Sequence, residues 1–114
     1  MSRSIIEAEI IFRTQEEVGR TNPLVLSHST ARYRPHVTLN ESARAEHVPS
    51  SERLGVEFLR QCENLEPGVP TVLRFEPLYS GIDYSGLKPG VRFRILEGPL
   101  LVGDGQVIRV LPVT

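Results

Sequence analysis

Three histidines are the residues of this chain whose chemistry first suggests a site. His28, His36 and His47 raise the hypothesis of zinc binding, because imidazole is a common zinc ligand and a zinc ion needs three or four ligands that converge. Their spacing follows no ligand motif such as His-x3-His, and the chain adds a single cysteine, Cys62. We therefore predict surface or loop histidines and no metal site.

Nucleophilic catalysis would need a serine or cysteine beside a histidine that an acidic group orients. Ser27, His28 and Ser29 are adjacent in sequence, but adjacency does not create the geometry of attack, and the chain has no Gly-x-Ser-x-Gly elbow. Glu16 and Glu17 are paired carboxylates, yet neighbours in a turn point apart. We predict no catalytic residue and no enzymatic activity.

A nucleotide site would need a glycine-rich loop whose backbone amides surround phosphate. The sequence has no Gly-x4-Gly-Lys-Ser/Thr segment. Gly103 and Gly105 are a lone pair followed by strand-type residues, so no helix N-terminus follows them to bind an anion. We predict no nucleotide site and no cofactor.

A cluster of positive charge surrounds Tyr33. Arg32 and Arg34 flank the ring, and His36 follows Pro35. Arginine beside an aromatic residue suits stacking on bases and pairing with phosphate, which the recognition of single-stranded RNA requires. The structural alternative is the start of a strand, in which Tyr33 packs inward and the arginines meet the surplus glutamates. The formal net charge of -1 excludes a strongly basic nucleic-acid binder and leaves both alternatives open.

Length and composition predict one soluble domain. The chain has 114 residues, with 13 Lys+Arg and 14 Asp+Glu, which is enough for a single core. One cysteine allows no internal disulfide, which is typical of a reducing compartment. The first residues lack the apolar stretch of a signal peptide, and no apolar run is long enough to span a membrane. We expect a cytoplasmic protein with no membrane partner.

Four segments have the pattern of β-strands. Apolar and polar residues alternate in residues 6–13 and 91–95, which predicts strands with one buried face. Residues 107–111 predict a mostly buried final strand, and residues 72–78 are a fourth candidate. Glycine and proline punctuate the chain at residues 66–68, 88–90, 97–99 and 103–105. Short strands separated by such turns predict an all-β sandwich or barrel. The Gly-Asp-Gly of residues 103–105 fits either a hairpin turn or a bulge that bends a strand at a barrel corner.

The middle of the chain is ambiguous. Leu54, Phe58 and Cys62 fall on one face at helical spacing. Gly55 is unfavourable inside a helix, however, and the apolar residues also fit a period of two. We favour a strand over a helix for residues 53–62.

Residues 40–52 differ from the segments on either side. They are polar and have no periodic apolar face. This pattern predicts a long exposed loop within the single domain.

Several segments, in order, resemble the C-terminal, third domain of translation elongation factor Tu. Residues 5–9 are similar to its opening strand, and residues 16–23 to its Glu-Glu-Gly-Gly-Arg-His-Thr-Pro turn. Residues 33–35 are similar to its Gly-Tyr-Arg-Pro segment. Residues 90–98 are similar to its Gly-Leu-Arg-Phe-Ala-Ile-Arg-Glu-Gly stretch, and residues 102–107 to its Val-Gly-Ala-Gly-Val-Val stretch. The resemblance implies an all-β fold, a closed or nearly closed six-stranded antiparallel Greek-key barrel over residues 1–114, with a variable loop at about residues 40–52.

In elongation factor Tu this domain binds and does no chemistry, since it holds the T-stem backbone of aminoacyl-tRNA and contacts the exchange factor and the GTPase domain. The resemblance places Arg34, His36 and Gly98 at contact positions, although His36 replaces a family glutamine and Leu96 replaces an arginine that pairs with phosphate. We therefore predict a stand-alone, non-enzymatic binding module. Its partner is an unknown protein or, as the alternative, a structured RNA such as tRNA; a small hydrolase or metal protein is the third alternative. The candidate partner-binding residues are Arg20, Arg32, Tyr33, Arg34, His36, Glu97 and Gly98.

Overall fold

The computed structural model describes residues 3–14, 33–59 and 66–113 of the chain. These ranges contain six strands: β1 (Arg3–Phe12), β2 (His36–Thr38), β3 (Leu54–Phe58), β4 (Thr71–Pro77), β5 (Arg92–Glu97) and β6 (Leu100–Val113). They also contain two short 3₁₀ helices, Ala45–His47 and Ser50–Glu52. No helix in the described ranges has the length and apolar character needed to cross a bilayer.

The six strands close into an antiparallel barrel. Their order around the barrel is β1-β4-β3-β2-β5-β6, and β6 pairs with β1 to complete the circle. Because β2, β3 and β4 are consecutive neighbours and β5 returns to lie beside β2, the connection is a Greek key. The predicted closed, six-stranded antiparallel barrel is confirmed.

Period-two alternation predicted the inward face of β1 correctly, whereas the prediction of a mostly buried strand at residues 107–111 is wrong, because Ile108 and Val110 are 41% and 38% exposed. Ile6, Ala8, Ile10 and Phe12 of β1 are buried in the core, as expected for residues that alternate sides along a strand. The other three predicted segments lie largely within β4, β5 and β6. β1 and β6 are longer than predicted because they pair with each other over the whole length of β1.

The ambiguous segment at 53–62 is a strand in its described part. Leu54–Phe58 pairs with β2 and β4, which confirms the preference for a strand there, and residues 60–62 lie outside the described residues. The three-residue strand β2 was not predicted, because it is too short for a periodic signal. Its register is set by partners on both sides, β3 and β5.

Residues 103–105 do not form a hairpin turn. They lie inside β6, and the register shifts skip Val102 in the pairing with β5 and Ile108 in the pairing with β1, so the bulges flank the Gly-Asp-Gly segment. The hairpin between β5 and β6 turns instead at Gly98 and Pro99, the predicted 97–99 turn. Gly98 has a φ of 57°, a value that favours glycine.

The prediction of an exposed loop at residues 40–52 is only partly correct. Ala45 and Val48 are buried against Leu96. The Arg53 guanidinium donates to the carbonyl oxygens of Ala45 at 2.6 Å, Val48 at 3.0 Å and Gly98 at 2.7 Å. A single arginine thus ties this segment to the β5–β6 hairpin, an arrangement that leaves no periodic pattern in the sequence.

Candidate functional site

Five of the predicted partner-binding residues lie close together at one side of the barrel. Tyr33 Oη donates to Glu97 Oε2 at 2.6 Å, and His36 is the β2 residue opposite Leu96. Arg34 lies between Tyr33 and His36 in sequence, and Gly98 follows Glu97. The remaining two candidates, Arg20 and Arg32, lie outside the described residues.

Tyr33 and Arg34 both make contacts within the fold. The Tyr33 ring packs against Phe12 and Phe58, with ring centroids 6.2 and 5.4 Å away. Arg34 Nε donates to Glu57 Oε1 at 2.7 Å. This is the arrangement that the structural alternative predicted, in which the tyrosine packs and an arginine meets a glutamate.

His36 is held in a partly buried site between Gly55 of β3 and Leu96 of β5. Burial, together with the positive charge of Arg53, lowers the pKa of His36 below its ordinary value of 6.5. The imidazole is therefore neutral at pH 7 and offers no cation to a phosphate. Of the other histidines, His47 lies in the first 3₁₀ helix and His28 lies outside the described residues.

The described residues contain no group of three or more His, Cys, Asp or Glu side chains placed to hold a metal ion. Metal binding at His36 or His47 would therefore need ligands from elsewhere. The geometry offers no support for the metal alternative in the described ranges.

A groove that the sequence did not suggest opens where β1 and β4 separate. The two strands pair from Ile10 and Thr71 to Ile6 and Phe75, after which β4 continues along β3. The segment of residues 78–90 lies beside this opening and bounds a cavity of about 590 Å³. Its apolar lining consists of Ile6, Pro77, Leu78, Tyr79, Ile82, Tyr84, Leu87, Pro89 and Val110.

The wall of this groove is held in place by hydrogen bonds and close packing. Tyr84 Oη donates to the carbonyl oxygen of Gly55 at 2.5 Å and accepts from the Tyr79 backbone N–H at 3.4 Å. The Tyr79 ring occupies the space that a side chain at Gly55 would need. Leu87 belongs to the barrel core, so the segment is anchored at both the tyrosines and the leucine.

Apolar surface remains open to solvent in the groove. Tyr79 is 53% exposed, Ile82 40% and Val110 38%. Ligand sites are typically concave, mostly apolar and edged by a few polar groups, and this groove has Ser4, Glu76, Ser80, Ser85 and Lys88 along it. The groove is the best candidate for a binding site among the described residues.

A second cavity of about 590 Å³ lies on the other side of the 78–90 segment. Its lining consists of Thr38, Leu39, Asn40, Ser51, Glu52, Leu54, Asp83, Ser85 and Gly86. Asn40 Nδ2 already donates to Glu52 Oε1 at 2.7 Å. With less apolar surface to bury, this cavity is the weaker candidate.

An ion triad on the outer face of the barrel lies beside the groove. Glu7 is 6% exposed and accepts from Arg74 Nε at 2.9 Å and from Arg109 Nε at 2.8 Å. β4 and β6 place these arginines directly opposite Glu7 on either side of β1. The hydrogen bond from Arg74 is the main cause that lowers the pKa of Glu7 below 4.5; the charge of Arg109 adds to it, and burial opposes it.

The triad predicts how stability changes with pH. A carboxylate whose folded pKa is lowered stabilises the fold above its unfolded pKa, and this contribution is lost as the pH falls through the folded pKa. We expect Glu7→Gln to lower the thermal unfolding midpoint at pH 7, and the difference from wild type to shrink as the pH falls below 4.5. Thermal unfolding followed by circular dichroism from pH 7 to pH 3 measures this difference.

Glu9→Gln is the matched control for the triad. Glu9 is exposed and lies two residues along β1 on the same face as Glu7. We expect it to change the midpoint little at any pH. If the unfolding midpoint of Glu7→Gln stays below that of wild type by the same amount down to pH 3, the ionised carboxylate does not have the stabilising role that we assign to it.

No protein-family model and no curated protein matches this chain. The barrel is established by its own strand pairing, and the similarity to the third domain of elongation factor Tu stays a prediction. The assignment of a function therefore depends on the groove and the residues around it.

Proposed function

We propose that this protein is a non-enzymatic binding module and that its partner is another protein, which docks an apolar side chain in the groove between β1, β4 and residues 78–90. The observation that carries the proposal is the groove itself, whose rigid wall leaves Tyr79, Ile82 and Val110 open to solvent. Burying such apolar surface is the main driving force of protein association.

The chemistry of the lining favours binding over catalysis. Neither histidine nor cysteine is among the described residues that line the groove, so the described lining contains no Ser–His or Cys–His pair of the kind used in nucleophilic catalysis. The Tyr84 hydroxyl is engaged with the carbonyl oxygen of Gly55. We accordingly expect the purified chain to hydrolyse GTP no faster than background.

The surroundings of the groove favour a protein over RNA. RNA binding depends on contacts between basic side chains and phosphates. The groove lining contains one basic residue, Lys88, and one acidic residue, Glu76, so it carries no excess of positive charge. The basic cluster that suggested RNA has Tyr33 bonded to Glu97 and Arg34 bonded to Glu57. Binding to tRNA, similarity to the third domain of elongation factor Tu and a cytoplasmic location remain predictions.

Affinity capture with matched variants tests the proposal. Ile82→Glu places a charge in the groove, whereas Val69→Glu places one at a similarly exposed turn residue outside it, since the two side chains are 40% and 45% exposed. We expect the proteins that wild type retains from a lysate of its native cells to be retained by Val69→Glu and lost with Ile82→Glu. Quantitative mass spectrometry measures the retained proteins.

Three outcomes would contradict parts of this assignment. If Ile82→Glu retains the same proteins as wild type, the groove is not the docking site. If ribonuclease treatment of the lysate removes the retained proteins, the chain binds RNA and the protein partner is wrong. A GTPase rate above background that rises in proportion to enzyme concentration would overturn the non-enzymatic assignment.

A further inference from the structure

The arginines of the outer-face triad are next to the groove in the strand register. Glu7 follows Ile6 in β1, and Arg109 precedes Val110 in β6. Ile6 and Val110 both line the groove, while their neighbours in sequence point to the opposite face of the sheet. β1 and β4 separate beyond Ile6 and Phe75, and the outward-facing Arg74 directly precedes Phe75. A segment that leaves the groove through this opening therefore passes onto the outer face of the barrel beside the triad.

Each arginine of the triad keeps most of its donors available. Arg74 and Arg109 each bond Glu7 through Nε, and neither guanidinium makes another hydrogen bond or ion pair within the part of the chain that the structure describes. Their side chains are 51% and 62% exposed. The two terminal nitrogens of a guanidinium form a fork that matches a carboxylate in two parallel hydrogen bonds. Glu7 thus orients two such forks outward.

Among the side chains that the structure describes around Glu7, the positive charge is carried by Arg74 and Arg109. Two guanidiniums against one buried carboxylate leave an excess of one positive charge on this row of three residues. Glu9 lies two residues along β1 on the same face, and Glu76 lies two residues along β4 from Arg74. A polyanion with closely spaced phosphates would meet these two carboxylates, whereas a single carboxylate fits the row.

We propose that the docking segment of the partner protein carries an aspartate or glutamate next to its apolar anchor, and that Arg74 and Arg109 bind this carboxylate. The inference rests on the proposed function, since the apolar anchor occupies the groove. It adds the sequence pattern that the partner should carry, which is an acidic residue separated from a large apolar residue by a fixed, small number of residues.

A displayed library of random peptides selected on the purified chain tests this inference. We expect the enriched peptides to share a large apolar residue and an Asp or Glu, with the same number of residues between the two in every peptide. One synthetic peptide from the selection is then titrated by fluorescence anisotropy against wild type, Arg74→Gln, Arg109→Gln and Ile82→Glu. Arg92→Gln is the matched control, because Arg92 is an exposed arginine on β5, away from the row.

We expect Arg74→Gln and Arg109→Gln each to weaken peptide binding by about threefold to tenfold, and Arg92→Gln to leave it unchanged. Replacing the acidic residue of the peptide by its amide should weaken binding to wild type by a similar factor. The same peptide replacement should weaken binding to Arg74→Gln by a smaller factor, because this variant already lacks one of the arginines that bind the carboxylate. The peptide replacement leaves the protein fold untouched, so this arm stays decisive if an arginine variant is unstable.

The outcomes separate this inference from the proposed function. If Ile82→Glu abolishes binding while both arginine variants bind like wild type, the groove function stands and the carboxylate is wrong. Enriched peptides without any acidic residue would overturn the inference in the same way. If no peptide is enriched, or if Ile82→Glu binds normally, the groove function fails and this inference fails with it.

Discussion

Replacing Gly105 with alanine is expected to destabilise the barrel by about 1 to 3 kcal/mol. A Cβ at this position would lie 2.7 Å from Phe93 Cε2 and 3.0 Å from Cε1, and closer still to Cζ. Phe93 is 1% exposed and packs in the core, so its ring has little room to move. Gly105 is directly opposite Phe93 in the β5–β6 pairing. Urea unfolding of wild type and variant measures the loss of unfolding free energy.

Gly81→Ala is the control for this substitution. A Cβ at Gly81 would meet nothing within 4 Å, and its φ is not positive, so we expect no destabilisation there. Combining Gly105→Ala with Phe93→Leu should cost less than the sum of the two single changes, because the smaller side chain makes room for the methyl group. Additive costs, or equal stabilities of Gly105→Ala and wild type, would contradict the packing argument.

Replacing Phe75 with alanine is expected to cost about 3 to 5 kcal/mol. Phe75 is fully buried and lies between Phe58 and Phe93, with ring centroids 5.2 and 5.5 Å away. Its removal leaves a cavity at the centre of the aromatic row that crosses the barrel. Since small domains are stable by only about 5 to 15 kcal/mol, the variant should unfold at a much lower urea concentration.

Phe75→Leu separates the loss of volume from the loss of the ring. It keeps most of the buried apolar volume, so we expect a smaller cost than for Phe75→Ala, and Val72→Ala, at a 51% exposed residue of the same strand, should cost little. A Phe75→Ala variant as stable as Val72→Ala would mean that the aromatic row does not stabilise the barrel.

Several features of the fold could be predicted because they are local. The alternation along β1 identified its buried face, since side chains of a strand alternate sides. The turn at residues 97–99 was identified because Gly98 accepts a positive φ. Gly105 could be singled out but not explained, because the Phe93 ring that excludes its side chain comes from a different strand.

Other features could not be predicted because they depend on contacts between distant residues. The three-residue strand β2 exists through pairing on both of its edges. The segment 40–52 is anchored by Arg53 and by Arg94, whose Nη1 donates to the carbonyl oxygen of Ala43 at 2.7 Å. Hydrogen bonds from a side chain to distant carbonyl groups have no sequence period.

The candidate site shows the same division. The sequence singled out Tyr33 and Arg34 as candidate partner-binding residues, which stays a prediction, but it could not identify their hydrogen-bond partners Glu97 and Glu57, which lie far away in the chain. The groove escaped sequence reasoning because its lining spans residues 4 to 110, and because the segment around Tyr79 and Ile82 has the composition of an ordinary turn-rich loop.

The sequence by itself determined the all-β class and the inward face of β1, because local alternation and turn chemistry depend only on near neighbours. Tertiary structure alone decided that β1 lies between β4 and β6, since strand pairing joins residues far apart in the chain. From that order follow both the opening where β1 and β4 separate and the position of Glu7 between Arg74 and Arg109. The proposed binding surface is therefore a property of the closed barrel and of no single segment.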